Sequence, residues 1–197
     1  MNIYKQYIVV GFLLLSIVIS NVNVCAQDNH VWMGIDLFLT IVGEIKDIDS
    51  KQNIEKNESY LLLVLIYKDK KNFSEKLANY IAIKIQDIKG RQVKVEVTRE
   101  PMALFASNKK IAGIFLVQKF LYHTDDNNLF QNIIHFAQAK TIITFSPFYG
   151  DLKRGIVASM DISDIILPYI NLTALEQSKI KINEFFLDIC TIYKTKP

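Results

Sequence analysis

The fold is decided by residues 60–67, YLLLVLIY, a run of eight consecutive apolar residues. A strand that is covered on one face would alternate polar and apolar side chains, and this run does not alternate. Such runs are typical of strands buried on both faces, between layers of helices. Lys110–Gln118 and Lys140–Phe145 contain similar apolar segments. We therefore expect these three segments to be central strands of one sheet.

Helical patterns separate these strands. His30–Ile48 spaces its apolar residues at three and four positions, which predicts a helix with a broad apolar face. Ser74 and Glu75 suit the N-cap and first turn of a second helix, which we expect Gly90 to end. Asp125–Gln138 predicts a third helix. This alternation of strands and helices indicates crossover connections and a largely parallel sheet.

The C-terminal third departs from this alternation. Arg154–Ile162 and Ile165–Ile170 are apolar runs with only two residues between them, which is too short for a parallel crossover but sufficient for a hairpin. Asn171 then precedes a helix start, and Lys181–Tyr193 is predicted to form the last helix. Gln92–Val97 alternates as an edge or half-covered strand does. We predict an α/β three-layer sandwich: a mostly parallel sheet, helices on both faces and a C-terminal antiparallel hairpin.

The N-terminal segment has the pattern of a secretory signal peptide. Lys5 precedes the apolar core Ile8–Ser20, and Val24-Cys25-Ala26 fits the small-residue cleavage pattern. The apolar core is shorter than the roughly 20 residues that a spanning helix needs. We expect residues 1–26 to be removed and residues 27–197 to form a single domain. An uncleaved N-terminal anchor is the alternative.

Composition narrows the class of partner. The chain has 23 Lys and Arg against 20 Asp and Glu, which is not the balance of a nucleic-acid-binding protein. The basic groups at Lys68–Lys71 and Lys109–Lys110 are predicted to be solvated loop ends. Removal of the signal peptide would leave Cys190 as the one cysteine, so no internal disulfide is expected. Its apolar surroundings suggest a small buried hydrophobe.

Motifs for catalysis, cofactors or metals are missing from the sequence. No GxGxxG, P-loop, GxSxG or HExxH pattern occurs. The segment His123–Asp126 contains potential ligands, but neighbours in a turn seldom converge on one ion, and Asp125 suits a helix cap. His135 stands at helical spacing among apolar residues, so we expect a packed or rim position. We therefore predict no catalytic residues, no metal, no cofactor and no enzymatic activity.

The candidate binding site surrounds the loop SPFYGD, Ser146–Asp151. It follows the carboxyl end of a strand, where open α/β sheets bind ligands, and it offers aromatic rings and a hydroxyl group. The alternative is a simple Pro-x-x-Gly turn, with Phe148 covering the edge of the core. The candidate ligand- or partner-binding residues are Ser146, Phe148, Tyr149, Asp151, Arg154, Tyr169 and Asn171.

The C-terminal third carries a family resemblance. The strand TIITFS, a loop with glycine, a hairpin, Ile170-Asn171, a small-residue helix start at Ala174 and a final amphipathic helix follow in that order. After its signal-like segment, this arrangement resembles the YfiR-like family of bacterial periplasmic proteins. The chain departs from the family pattern at Ser178-Lys179, where a glycine is usual, at Ile182-Asn183, where serines are usual, and in its missing cysteines.

The resemblance implies a periplasmic, non-enzymatic regulator that forms a homodimer. Such a protein contacts the periplasmic part of an inner-membrane sensor or diguanylate cyclase, does not bind nucleic acid and is not stably inserted in the membrane after signal cleavage. We expect an exposed apolar patch on the final hairpin or the first helix to make the contact. The alternative is a small-molecule-binding protein with a pocket lined by Phe148, Tyr149, Arg154 and Tyr169. A hydrolase would require Ser146, His135 and an acid close together.

Overall fold

The structure is a computed structural model that describes residues 28–46, 60–107, 109–122, 125–162 and 166–194. The predicted signal peptide, the polar loop after α1 and residues His123 and Thr124 lie outside these ranges. In chain order, the elements are α1 (28–43), β1 (Tyr60–Ile66), α2 (Lys71–Lys84), β2 (Asp87–Ile88), β3 (Arg91–Thr98), α3 (Pro101–Phe105), β4 (Ile111–Leu116), α4 (Asp125–Lys140), β5 (Ile143–Ser146), a 3-10 helix (Tyr149–Arg154), β6 (Ala158–Ile162), β7 (Ile166–Asn171), α5 (Leu172–Gln177), α6 (Glu184–Ile189) and β8 (Thr191–Tyr193).

All eight described strands form one sheet, in the order β2-β3-β1-β4-β5-β6-β7-β8. The five strands from β3 to β6 are parallel to one another. β7 then runs antiparallel to β6, and β8 lies parallel to β7. At the other edge, the two-residue strand β2 is antiparallel to β3. The predicted α/β fold, with its mostly parallel sheet and C-terminal antiparallel hairpin, is confirmed.

The central strands are buried on both faces, as the apolar runs predicted. Leu63 and Leu65 of β1 pack into one core with α1, α2, α5 and α6. Val64 and Ile66 point the other way, into a second core with α3 and α4. The sheet is therefore the middle layer of three. Burial of both faces of β1 removes apolar surface from water, which stabilises the fold by about 25 cal/mol per Å² of that surface.

Phenylalanine rings fill the space between α1 and the middle of the sheet. Phe38 is fully buried, with ring centroids 5.5 Å from Phe115 and 5.9 Å from Phe145. Gly113 of β4 lies directly beneath this ring, since a Cβ atom there would stand 2.7 Å from Cζ of Phe38. The missing side chain at position 113 therefore makes room for Phe38.

Contacts between distant parts of the sequence join the end of α1 to the C-terminal segment. Ile45 and Ile182 form an isolated antiparallel bridge. The Lys46 N–H donates to the Lys181 carbonyl at 2.8 Å, and the Asn183 N–H donates to the Glu44 carbonyl at 3.0 Å. These backbone bonds explain why the helix predicted to reach Ile48 has ended by residue 43, since the chain there turns to pair with another segment.

The predicted start and end of the second helix are wrong. Helix α2 begins at Lys71, and Ser74 lies within it, where its hydroxyl donates to the Lys70 carbonyl at 2.9 Å. Serine can bond in this way to the carbonyl four residues back, so its presence alone did not identify a cap. The helix ends at Lys84, well before Gly90. Lys89 and Gly90, with φ of 54° and 75°, instead form the tight turn between β2 and β3.

Two C-terminal boundaries also differ from the prediction. Lys181–Tyr193 is not one helix, because α6 covers only six residues and is followed by β8. The Asn183 side chain caps α6 by accepting from the Phe185 N–H at 3.2 Å. The first hairpin strand begins at Ala158 rather than at Arg154, which belongs to the preceding 3-10 helix.

Candidate functional site

The carboxyl ends of the parallel strands meet at one edge of the sheet, and two groups of residues lie there. The first follows β5 and contains most of the candidate residues from the sequence. The second lies outside β1 and β4. The chain leaves β1 into α2, on one face of the sheet, and leaves β4 into α4, on the other. This divergence defines the topological switch point, where open α/β sheets bind ligands.

Four candidate residues, from the last residue of β5 onward, form a structural network that is largely buried. The Ser146 hydroxyl donates to Oδ2 of Asp151 at 2.7 Å and accepts from the Phe148 N–H at 3.2 Å. Nη1 of Arg154 pairs with Oδ1 of Asp151 at 3.0 Å, and these two side chains are only 3% and 1% exposed. These contacts fix the loop after β5 from within.

The Arg154 guanidinium is enclosed on every side that the structure describes. Nη1 also donates to the Phe120 carbonyl at 2.6 Å, and Nη2 donates to Oδ1 of Asn127 at 3.1 Å. Its Cζ atom lies 3.6 Å from the ring centroid of Phe130 and 4.3 Å from that of Tyr122, in cation–π geometry. The arginine therefore ties the 3-10 helix to α4 and to the loop after β4, and does not face solvent.

Burial has the largest effect on the pKa of Asp151. Loss of solvent raises the pKa of its carboxyl group, while the Ser146 hydroxyl and the Arg154 charge act in the opposite direction. A carboxyl group held between a hydroxyl and a guanidinium resembles an acid–base site. In this structure, however, its partners are buried as well, and His135 is exposed on α4 rather than packed. The arrangement is better explained as a structural ion pair.

Asn171 occupies the junction between β7 and α5, as the sequence predicted. Its Oδ1 accepts from the Ala174 N–H at 3.1 Å, which caps α5, and its Nδ2 donates to the Leu152 carbonyl at 2.8 Å. The residue is buried. One side chain therefore connects the hairpin, the helix and the 3-10 segment.

The aromatic candidates lie closer to solvent. Tyr149 is 37% exposed, and its ring meets that of Tyr169 edge to face at 4.9 Å. Tyr193 of β8 completes this group at 6.3 Å from Tyr149. Phe148 packs against the first core. Of the predicted site residues, Tyr149 and Tyr169 are thus brought together near the surface, while Ser146, Asp151, Arg154 and Asn171 are turned inward.

The sequence-based interpretation missed the residues at the switch point. Oε1 of Gln118, just after β4, accepts from three consecutive backbone N–H groups: Lys68 at 2.8 Å, Asp69 at 3.1 Å and Lys70 at 3.2 Å. Nε2 of Gln118 donates to the Asp69 carboxylate. We call Lys68, Asp69, Lys70 and Gln118 the switch-point cluster. Gln118 itself is buried.

Ion pairs connect the switch-point cluster to the helices on both faces. Lys68 pairs with Asp126 of α4, and Lys70 pairs with Asp28 of α1. A cavity of about 360 Å³ opens beside Asp28 and Lys70, with Phe73 in its wall. Trp32 meets the Phe73 ring edge to face at 5.8 Å. The cavity therefore combines charges of both signs with an aromatic side.

A signal for this cluster was present in the sequence. The KDKK segment at residues 68–71 follows the most apolar strand and precedes a helix, which is the position of a ligand-binding loop in an open α/β sheet. Its charges favoured the interpretation as a solvated loop end. The position of Gln118 beside it depends on strand order, which the sequence pattern does not give.

The described ranges offer neither a metal-binding cluster nor a membrane-spanning helix. These ranges contain no group of three or more His, Cys, Asp or Glu side chains that could hold a metal ion. Likewise, none of the helices within them is long and apolar enough to cross a membrane.

The Cys190 thiol donates to the Phe186 carbonyl at 3.2 Å, and burial raises its pKa to about 11, so it is a neutral thiol at physiological pH.

Comparisons with known proteins give a fold but no family. No family model and no curated protein matches the chain. The ABC domain in complex with L-Trp from Streptococcus pneumonia has a similar structure, with a TM-score of 0.54 and 11% identity over 81% of this chain and 62% of that one. A conserved domain protein from Vibrio cholerae gives a TM-score of 0.46 and 16% identity over 74% of this chain and 60% of that one. This chain thus spans about three fifths of either structure. The likeness to the first structure shows a shared α/β architecture alone.

Proposed function

We propose that the chain is a non-enzymatic, exported binding protein that contacts the periplasmic part of a membrane signalling protein, either a diguanylate cyclase or a sensor kinase. One observation carries the proposal. Near the C-terminal edge of the sheet, Phe185 is 82% exposed, Ile189 is 67% exposed and Ile192 is 37% exposed. We call these three residues the C-terminal apolar patch. A cluster of exposed apolar side chains, unlike a single one, is typical of a surface that another protein covers.

The local structure explains why these side chains point outward. Phe185 and Ile189 are four residues apart on α6, so they lie on the same helix face. Phe186, the next residue along the helix, is turned toward the sheet and buried in the first core. The short helix therefore has two apolar side chains, Phe185 and Ile189, that do not pack into the core.

Strand β8 adds a second means of contact beside the patch. It is the last strand of the sheet, and within the described ranges it pairs with β7 on one side only. An unpaired strand edge has free N–H and C=O groups that can accept a strand of a partner. Backbone pairing at β8 with apolar contacts to Phe185 and Ile189 would give a partner both affinity and register.

The compartment and the class of partner rest on the sequence. The N-terminal segment has the pattern of a secretory signal peptide, and the C-terminal third resembles the YfiR-like family. Those features support a periplasmic location and an inner-membrane partner. The lack of a catalytic motif in the sequence favours binding over catalysis.

Site-specific crosslinking in cells tests this function. A photoreactive residue placed at position 185 should crosslink to a membrane protein whose cytoplasmic part is a diguanylate cyclase or kinase. The matched control is position 83, because Ile83 on α2 is also 82% exposed and apolar but lies away from β8. Mass spectrometry of the crosslinked band identifies the partner. The proposal fails if positions 185, 189 and 192 give no membrane adduct, or if position 83 gives the same adduct.

A second candidate function is small-molecule binding beside the switch-point cluster. The cavity there has an aromatic wall and charges of both signs, and the fold is shared with a domain whose complex with L-Trp is known. A ligand at about 100 times its Kd would stabilise the protein by about 2.7 kcal/mol. Thermal unfolding with L-tryptophan and other amino acids measures this, with Lys70→Gln as the test variant and Lys76→Gln, an exposed α2 lysine, as its control. Equal shifts in both variants would rule out this cavity.

A further inference from the structure

A second cavity lies at the end of the sheet opposite the switch point, where β4 and β5 begin. Its volume is about 580 Å³, within the range of about 300–1,000 Å³ that small-molecule sites occupy. We call it the amino-end cavity. The residues that matter in its lining are Phe105, Lys109, Lys110, Phe136, Ala139 and Lys140. None of them belongs to the C-terminal apolar patch or to the switch-point cluster.

The charge of the amino-end cavity has one sign. Three lysines line it, and the described lining contains no Asp or Glu. Lys109 bonds to Glu96 at 2.7 Å, but that acid lies outside the lining and both side chains are partly exposed. The three lysines of the lining and this one glutamate together carry an excess of positive charge.

Backbone N–H groups and one hydroxyl bond to three carbonyls at the C-terminal ends of α3 and α4. Cationic residues at helix C-termini often bond to free backbone carbonyls. Here the Gln138 carbonyl accepts from the Thr141 N–H, and the Ala137 carbonyl accepts from the Ile142 N–H. At the end of α3, the Leu104 carbonyl accepts from both the N–H and the hydroxyl of Ser107. These three carbonyls therefore have partners from the backbone and from the Ser107 hydroxyl.

An aromatic pair supplies the apolar side of the amino-end cavity. The rings of Phe105 and Phe136 stack with centroids 3.9 Å apart and planes within 6° of parallel. Phe105 is buried and Phe136 is half-buried, and both residues line the cavity, so its wall includes aromatic surface. Flat apolar groups pack well on such a surface, while lysine ammonium groups attract an anion.

We propose that the amino-end cavity binds a small organic anion with a flat apolar part, such as an aromatic carboxylate or an aromatic phosphate ester. The ring of the ligand would lie against Phe105 and Phe136, and its anionic group would be held by Lys110 and Lys140. This site is separate from the surfaces that carry the proposed partner binding. A ligand bound there would lie on the side of the sheet that packs against α3 and α4.

Isothermal titration of the full chain tests the proposal with four probes. Benzoate and phenyl phosphate carry both a ring and an anion, benzyl alcohol carries the ring alone, and inorganic phosphate carries the anion alone. We expect saturable binding of the two aromatic anions, about tenfold or more tighter than that of the other two probes. Equal binding of inorganic phosphate and phenyl phosphate would overturn the aromatic part of the proposal. No saturable binding of either aromatic anion would overturn it entirely.

Two variants locate the binding. Lys110→Gln combined with Lys140→Gln should weaken the binding of phenyl phosphate by about tenfold or more, since both cationic contacts are lost. Ala139→Phe should abolish the binding of phenyl phosphate. The exposed Ala139 lines the cavity, and a ring at that position fills the space without changing the charge. Lys153→Gln removes an exposed lysine at the other end of the sheet and should bind as the natural chain does. Unchanged binding in the first two variants would show that the probe binds elsewhere and would overturn the assignment.

Discussion

Replacing Asp151 with alanine should lower the free energy of unfolding by about 3–5 kcal/mol, because it leaves the Arg154 guanidinium buried without its carboxylate. The two side chains are 1% and 3% exposed, and the atoms Oδ1 and Nη1 are 3.0 Å apart. The remaining partners of Arg154 are neutral, namely the Phe120 carbonyl and the Asn127 amide oxygen. Urea denaturation followed by circular dichroism at pH 7 measures the loss.

The control for this prediction lies in the same 3-10 helix. Lys153 is exposed, and Lys153→Ala should change the unfolding free energy by no more than about 0.5 kcal/mol. Asp151→Asn keeps the size of the side chain and an oxygen for Ser146, so it should cost less than Asp151→Ala. If the alanine variant is as stable as Lys153→Ala, the buried pair does not stabilise the loop after β5 and the structural interpretation of these candidate residues is wrong.

Replacing Phe38 with alanine should cost about 3–5 kcal/mol, the usual range for removing a fully buried aromatic side chain from a core. The ring touches both Phe115 and Phe145, so its loss opens a cavity between α1 and the middle of the sheet. Denaturant midpoints compared at constant m-value measure this effect. Thr40→Ala on the exposed side of the same helix is the control, and an equal loss there would mean that α1 does not pack on the sheet in this way.

The contact between Phe38 and Gly113 gives a sharper test of the same packing. Gly113→Ala alone should destabilise the protein by about 1–3 kcal/mol, because the new Cβ atom would stand 2.7 Å from Cζ of Phe38. In the Phe38→Ala background, that penalty should largely disappear. A double-mutant cycle that shows no coupling between these positions would contradict the placement of α1 over β4.

The strands that were predicted well are those whose burial can be recognised from their own residues. YLLLVLIY needs no partner to be recognised, because eight apolar residues in sequence fit only an element that is covered on both faces. The hairpin of β6 and β7 was predicted from connection length, which limits what two neighbouring runs can do. In both cases, local sequence and global fold require the same structure.

The elements that were predicted wrongly depend on distant partners or on residues with two uses. Thr191–Tyr193 is a strand because β7 lies beside it, and three residues carry too little pattern to show this. Ser74 suits a helix cap and also a bond to the preceding turn, and only the structure distinguishes the two. The same reasoning applies to Gln118, whose bonds to residues 68–70 cross between strands that are adjacent in space and far apart in sequence.

Candidate site residues followed a similar division. Asp151 and Arg154 are three residues apart and were predicted as binding residues, but α4 and the loop after β4 bury them as an ion pair. The exposure of Phe185 and Ile189 was not predicted either. The long helix that the sequence predicted would pack one face on the core, and the sequence did not show which residues lie on the other face. The sequence therefore indicated which residues are chemically notable, and packing decided which of them face solvent.

The pairing of Ile45 with Ile182 has a consequence for the order in which the chain folds. The ion pair between Lys46 and Glu184 in the same junction joins residues 138 positions apart. Closing so large a loop costs entropy before any contact repays it, and such non-local pairing slows folding. These contacts at the end of the first helix can thus form only after nearly all of the described polypeptide has emerged. In a chain that is exported, as we propose, this would delay completion of the native state until translocation is almost finished. The earlier segments would stay available to chaperones in the meantime.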